Sequence, residues 1–242
     1  MRKTNGRAAT SLWARAFLFV WLPLLPLVAA DKPPGIATDK MRIIRQHVIA
    51  GQLDALKEDL AANKGKISPA ELSYLLFFAR RKDIVLYLLK QGADVRAFIL
   101  DRRTLPMVLA QDGRADLVRF YLDKGIGVNQ KDKYGRTALY FAAGNVDDSV
   151  VKLLLARGAY IDAQTHTGET PLMVCAWTGA MPPFLALIRN GADTHIVDGK
   201  EQDVVHHIDK GKNDFVRLEG DAAKRRKMKE LVAAARQKRQ RR

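Results

Sequence analysis

The sequence predicts an all-α fold, a solenoid of stacked helix-turn-helix units with short β-hairpin-like fingers, and three observations carry that expectation. Gly92, Gly125, Gly158 and Gly191 stand 33 residues apart. Thr104, Thr137 and Thr170 keep the same period, as do Ala110, Ala143 and Ala176, and Gly135 with Gly168. Each of the four glycines closes an apolar run with helical spacing, as in "VLYLLKQGAD" and "VVKLLLARGA". Self-similarity at a fixed period of this size marks a repeat array, in which each unit buries its apolar face only against its neighbours.

Each element of the unit follows from local chemistry. The threonine is an N-cap, its hydroxyl accepting from an amide that the helix leaves orphaned. Pro171 then takes the first helical position, where its missing N–H costs nothing, and Pro106 sits one place later in the first turn. Ala110, Ala143 and Ala176 are small enough to let consecutive helices approach closely. The second helix carries the apolar stripe, for example Val150, Val151, Leu153, Leu154 and Leu155, and ends on the periodic glycine. Polar turn residues such as "DAQTHTGET" form the finger that leads to the next unit.

Residues 132–164, "DKYGRTALYFAAGNVDDSVVKLLLARGAYIDAQ", and 165–197, "THTGETPLMVCAWTGAMPPFLALIRNGADTHIV", resemble the repeat of the ankyrin family. The likeness is looser over 99–131 and weak before residue 68. Met107, Tyr140 and Met173 replace the family's histidine, and Arg102 stands where Gly135 and Gly168 stand, so a tighter or irregular finger is expected there. The resemblance extends to exported, periplasmic bacterial members. It implies a concave face that binds partner proteins through finger tips and first helices. Carried over position by position, the implied contacts are Lys133, Tyr134, Arg136 and Asn145 in one unit and His166, Thr167, Glu169, Trp177 and Thr178 in the next. Asp101, Arg103, Gln111 and Asp112 occupy the corresponding places in the looser unit.

The array continues in both directions. Ser68-Pro69-Ala70-Glu71 reads as a capping box with proline at the first helical position. Upstream, Met41, Ile44 and Val48, then Leu53, Leu56 and Leu60, have helical spacing on either side of Gly51 and predict a capping helix pair over 38–66. Downstream, Asp203 falls 33 residues after Thr170 and is an equally good N-cap. The repeats are thus expected over 67–210, followed by a linker at 211–220 and a basic helix or tail at 221–242.

The first thirty residues read differently. Arg2, Lys3, Arg7 and Arg15 precede an apolar run from Ala16 to Val28, and Val28-Ala29-Ala30 supplies a small-residue cleavage site. That pattern predicts a secretory signal peptide over 1–30 and a linker over 31–37, with an uncleaved inner-membrane anchor as the alternative. A single cysteine excludes an intrachain disulfide, and no Asn-x-Ser/Thr acceptor is present. Both absences agree with a bacterial periplasm as the expected location.

Removing residues 1–30 lowers the net charge from +15 to +11, and residues 221–242, with ten Lys and Arg against two acids, account for +8 of that. The basicity therefore belongs to the tail. Its Met228, Leu231, Val232 and Ala235 have helical spacing. Two readings stand: a last helix that packs this stripe on the final repeat, or a basic amphipathic helix that seeks an anionic lipid or polymer. The second would use Lys224, Arg225, Arg226, Lys227, Arg236, Lys238 and Arg239. Specific nucleic-acid binding is not expected, because no aromatic residues interleave these charges.

No catalytic constellation stands out. Cys175 lies beside the shared Ala176 on a helix face that packs inward, where a small buried thiol is the ordinary role. His195, His206 and His207 do not converge at helical spacing, and His206 coincides with the family's histidine position. No enzyme activity, cofactor, metal or small-molecule substrate is expected. Trp177 has two readings, a groove anchor or a core residue folded over the next repeat. The expected function is a non-catalytic protein–protein interaction scaffold of the cell envelope, such as an adaptor, a protective factor or a toxin-neutralising immunity protein. The alternative is a surface-binding protein held by its basic tail.

Overall fold

A computed structural model of the protein describes residues 38–211 and 219–240. The signal peptide expected at 1–30, the linker at 31–37 and most of the linker at 211–220 lie outside the described residues. The described chain is helical and runs as successive antiparallel pairs. These are α1 (Thr38–Ala50) with α2 (Leu53–Ala62), α3 (Pro69–Leu76) with α4 (Lys82–Lys90), and α5 (Leu105–Gln111) with α6 (Ala115–Asp123). Then come α7 (Ala138–Ala142) with α8 (Ser149–Ala156), and α9 (Pro171–Thr178) with α10 (Met181–Arg189). The last two elements are α11 (Val204–Lys210) and α12 (Glu219–Gln240). First helices α5, α7, α9 and α11 pack in one layer, and second helices α6, α8 and α10 in the other. This is the all-α ankyrin-type solenoid that the 33-residue period predicts.

Helix starts are fixed by side chains reaching orphaned amides. In α3 the Ser68 hydroxyl accepts from Glu71 N–H while the Glu71 carboxylate accepts from Ser68 N–H at 2.8 Å, a reciprocal cap. Thr170 Oγ1 accepts from Met173 N–H at 3.4 Å, and the Met173 thioether sulfur accepts from Thr170 N–H at 3.5 Å. Met107 makes the same sulfur contact to Thr104 N–H at 3.4 Å. A polarisable thioether thus fills the place of the histidine that the family carries there.

Burial is continuous along the stack. Val150, Leu154, Leu172, Phe184 and Leu187 belong to one apolar cluster that runs from Ile44 in α1 to Val232 in α12. Small residues let the first helices touch: Ala110, Ala142, Ala143 and Cys175 are fully buried, and the Cys175 thiol donates to the Ala143 carbonyl at 3.1 Å. Burial drives that thiol's pKa far up, so it carries no thiolate.

The fingers share one device. Asp132, Thr165 and Asp198 stand 33 residues apart and are buried. Each side-chain oxygen accepts two backbone N–H groups of its own turn: Tyr134 and Arg136 for Asp132, Thr167 and Glu169 for Thr165, Lys200 and Gln202 for Asp198. The fingers then bond to one another. Lys133 N–H donates to Asp101 O at 2.6 Å, His166 N–H to Tyr134 O at 2.9 Å, and Gly199 N–H to Thr167 O at 2.8 Å.

The finger at residue 99 departs from this pattern. Ile99 has no side-chain acceptor; its turn is closed by a backbone bridge, Ile99 N–H donating to Arg103 O at 3.1 Å, around a short 3-10 turn over Leu100–Arg102. Asp101 and Arg102 adopt φ of 61° and 59°, the left-handed region that Gly135 and Gly168 occupy in the regular fingers.

The two kinds of finger give opposite expectations. Arg102 is exposed, so Arg102→Gly relieves about 1–2 kcal/mol of left-handed strain less the entropic cost of glycine, and should raise unfolding stability by about 0.5–1 kcal/mol. Gly168→Ala should lower it by about 2 kcal/mol or more, since φ is +80° and the added Cβ would sit 2.8 Å from Gly199 N. Urea titrations of the two variants against wild type check both signs.

Candidate functional site

The finger side of the units centred on α5, α7 and α9 carries most of the side chains expected to contact a partner. The turn Asp132–Arg136 positions three of them. Lys133 is exposed and pairs with Asp101 at 3.5 Å. Tyr134 is 46% exposed although aromatic, and its ring is faced by the guanidinium of Arg136 at 4.7 Å. Arg136 also pairs with the buried Asp132 at 2.7 Å, so the finger itself orients this cation.

Two residues that the sequence reading did not single out as a pair complete the shelf. Phe141, half-buried on α7, lies 4.8 Å from the Arg136 guanidinium and 4.4 Å from that of Arg103. Arg103 donates to Gln111 Oε1 at 2.5 Å. Burial, and then the Arg136 charge, lower its pKa to about 10, so it remains a cation at neutral pH. Position 141 shares its register with Val108 and Val174, and the single aromatic in that column is the sequence signal that could have found it.

The next finger adds a buried acid. Glu169 is only 9% exposed and accepts from Tyr140 Oη at 3.4 Å and Thr167 Oγ1 at 3.3 Å. Burial is the main influence and raises its pKa, against the two donors that favour the carboxylate. Thr167 and His166 are exposed at the tip, and the His166 ring packs against Gly135 of the preceding finger.

The remaining expected contacts lie elsewhere. Asn145 follows α7 and donates to the Ala110 carbonyl at 2.7 Å, stitching one unit to the end of the preceding first helix. Thr178, at the far end of α9, donates to Val174 O at 2.9 Å. Trp177 is half-buried beside it. An eight-residue helix is about 12 Å long, so Trp177 and Thr178 are separated from the tips by most of that length. The structure therefore joins Lys133, Tyr134 and Arg136 with Arg103 and Phe141, places Thr167 and Glu169 next to them, and sets Asn145, Trp177 and Thr178 apart.

His207 of α11 makes a buried contact with the last finger, its Nε2 lying 3.1 Å from Asp198 Oδ2, while His206 holds the register of Met107, Tyr140 and Met173. Desolvation pulls the His207 pKa below its ordinary 6.5, so a neutral imidazole faces the aspartate. Among the described residues no group of three His, Cys, Asp or Glu is placed to hold a metal ion.

The tail packs its apolar stripe. Met228 and Val232 of α12 are 1% exposed, and the helix lies on α10 and α11. It occupies the second-helix position of the final repeat. Arg236 pairs with Asp203 at 2.8 Å and donates to Thr194 O at 2.5 Å, Arg239 pairs with Asp193 at 2.6 Å, and Lys229 with Asp209 at 2.6 Å. Lys224, Arg226, Lys227 and Lys238 are exposed, and Arg225 is half-buried. Among the described residues no helix is long and apolar enough to cross a membrane.

The family model described as ankyrin repeats (3 copies) matches residues 73–165 and 106–198. Among curated proteins, the chain is 38% identical over 68 residues, 28% of its length, to an ankyrin repeat-containing protein of Schizosaccharomyces pombe. It is 32% identical over 136 residues, 54% of its length, to an ankyrin repeat protein of fowlpox virus. To the mouse B-cell lymphoma 3 protein homolog it is 33% identical over 88 residues, 36% of its length. The chain spans 33%, 40% and 20% of the lengths of those three proteins, respectively.

The raised pKa of Glu169 has a definite sign in stability. The folded state keeps a proton that the unfolded state releases near 4.5, so this group's contribution falls as pH rises from 4.5 through the folded value. Glu169→Gln should therefore gain stability relative to wild type between acid and neutral pH. Paired urea titrations across that range read the difference, and a constant offset would assign the carboxyl an unshifted pKa.

Proposed function

This chain belongs to the ankyrin-repeat family, and we propose that it works as a non-catalytic protein–protein interaction scaffold that holds a partner protein in its concave groove. The observation that carries this reading is the exposed Tyr134 ring, backed by Arg136, Arg103 and Phe141 on the finger side of a rigid stack. Tyrosine and arginine are enriched at binding hot spots, and a large side chain already held by its neighbours loses little entropy on docking. Lys133, His166 and Thr167 would extend the contact along the tips, while Trp177 would extend it along α9.

The signal-peptide pattern at 1–30 supports a location in the periplasm of a bacterial cell envelope. There, the scaffold would serve as an adaptor, as a protective factor for an envelope enzyme, or as an immunity protein that blocks a toxin. Each of these needs a preformed groove and no chemistry.

A second reading is favoured by a separate observation. Lys224, Arg226, Lys227 and Lys238 leave an exposed side of α12 net cationic, with Glu230 paired to Arg226 and Lys227, although Arg236 and Arg239 are engaged with Asp203 and Asp193. That side would attract acidic lipid or polymer, by about 1 kcal/mol per basic residue near the surface at most, and weakly at high salt.

A pull-down from envelope extract separates the two. The Tyr134→Ala/Trp177→Ala variant should lose the partner with little change in melting temperature, whereas Lys224→Gln/Arg226→Gln/Lys227→Gln should retain it. The opposite pattern, with a steep salt dependence, would transfer the function to α12. A large loss of stability in Trp177→Ala alone would assign that residue to the core.

A further inference from the structure

Three aspartates approach Arg103, and each is held by another cation. Asp132 pairs with Arg136, Asp112 with Arg80 and Asp101 with Lys133. Among the described residues no carboxylate stands within 4.0 Å of the Arg103 guanidinium. What it does have is the neutral amide of Gln111, the face of Phe141, and the repulsion of a second guanidinium on that same ring. Its Nε–H is buried and has no acceptor. A half-buried cation with no anion of its own is costly to the folded state, and an incoming carboxylate would reduce that cost.

The neighbours limit what such an anion can belong to. Tyr134 is 46% exposed beside the pair, an aromatic surface fit for an apolar side chain rather than for a bare ion. Lys133 adds an exposed positive charge at the tip. Resting on the groove reading above, we propose that Arg103, Arg136, Phe141 and Tyr134 form the docking point for an acidic peptide segment of the partner protein. An Asp or Glu carboxylate of that segment pairs with the two guanidiniums, and an adjacent apolar residue lies against the Tyr134 ring. The planar arginine fork matches a carboxylate better than an ammonium does, which explains why two arginines rather than lysines share Phe141.

Fluorescence anisotropy with labelled oligo-glutamate, and oligo-glutamine as the neutral control, tests this on the full chain at fixed low salt. Arg103→Gln should weaken oligo-glutamate binding about tenfold, the loss of one charge-assisted pair, and leave oligo-glutamine unchanged. Neutralising α12 with Lys224→Gln/Arg226→Gln/Lys227→Gln should change it less. An affinity unmoved by Arg103→Gln, or lost only with the α12 variant, overturns the proposal. So does a wild-type chain that binds the two probes equally. Thermal melts verify folding. Should Arg103→Gln unfold, Arg103→Lys keeps the charge and removes the fork, and must still weaken oligo-glutamate more than the α12 variant does. The pull-down reads the groove separately: a partner lost with Tyr134→Ala but indifferent to Arg103→Gln sinks the acidic-segment inference and leaves the groove standing.

Discussion

The buried acceptor at the root of each regular finger is the constraint on which the array depends. Asp132, Thr165 and Asp198 each take two N–H groups of a tight turn that would otherwise be left unmet beside the core. With the turn closed, residues 133, 166 and 199 present an N–H to the carbonyl of the finger before. That ladder sets the spacing between units, and the first helices follow at the distance that alanine and cysteine allow. At Ile99, which lacks the acceptor, the turn is closed by a backbone bridge and a short 3-10 turn, and Asp101 adopts positive φ beside Arg102; Glu201, at the register of Arg102, has positive φ in the Asp198 finger too.

Rigid spacing turns scattered side chains into a surface. Arg136 is aimed by Asp132, which is itself fixed by the turn, and Phe141 is carried by the helix that the turn starts. Arg103 comes from the preceding, irregular finger. The proposed recognition shelf is thus assembled from two neighbouring units and from both finger and helix. Asn145 belongs to the scaffold instead, since its amide spends itself on the Ala110 carbonyl.

The basic helix has two faces with different work. Met228 and Val232 close the last repeat, so the final first helix α11 does not expose its apolar side. Ion pairs of Arg236, Arg239 and Lys229 with acids of the last units anchor it, while Arg226 and Lys227 pair with Glu230 along its exposed side. Partly exposed pairs of this sort are individually weak, and the buried stripe contributes most of the docking.

The repeat period, the helix caps at Ser68, Thr137, Thr170 and Asp203, and the inward Cys175 were legible in the sequence, because caps and periodic small residues act over one or two turns of chain. Tyr134 and Arg136 were also legible as finger-tip positions. Other features required the tertiary structure. The pairing of Arg103 with Arg136 over Phe141, the contact of His207 with Asp198, and the role of α12 as the missing second helix all join residues from separate units. Which carboxylate answers which cation there depends on three-dimensional distance and on competition among neighbours, and a one-dimensional pattern records neither.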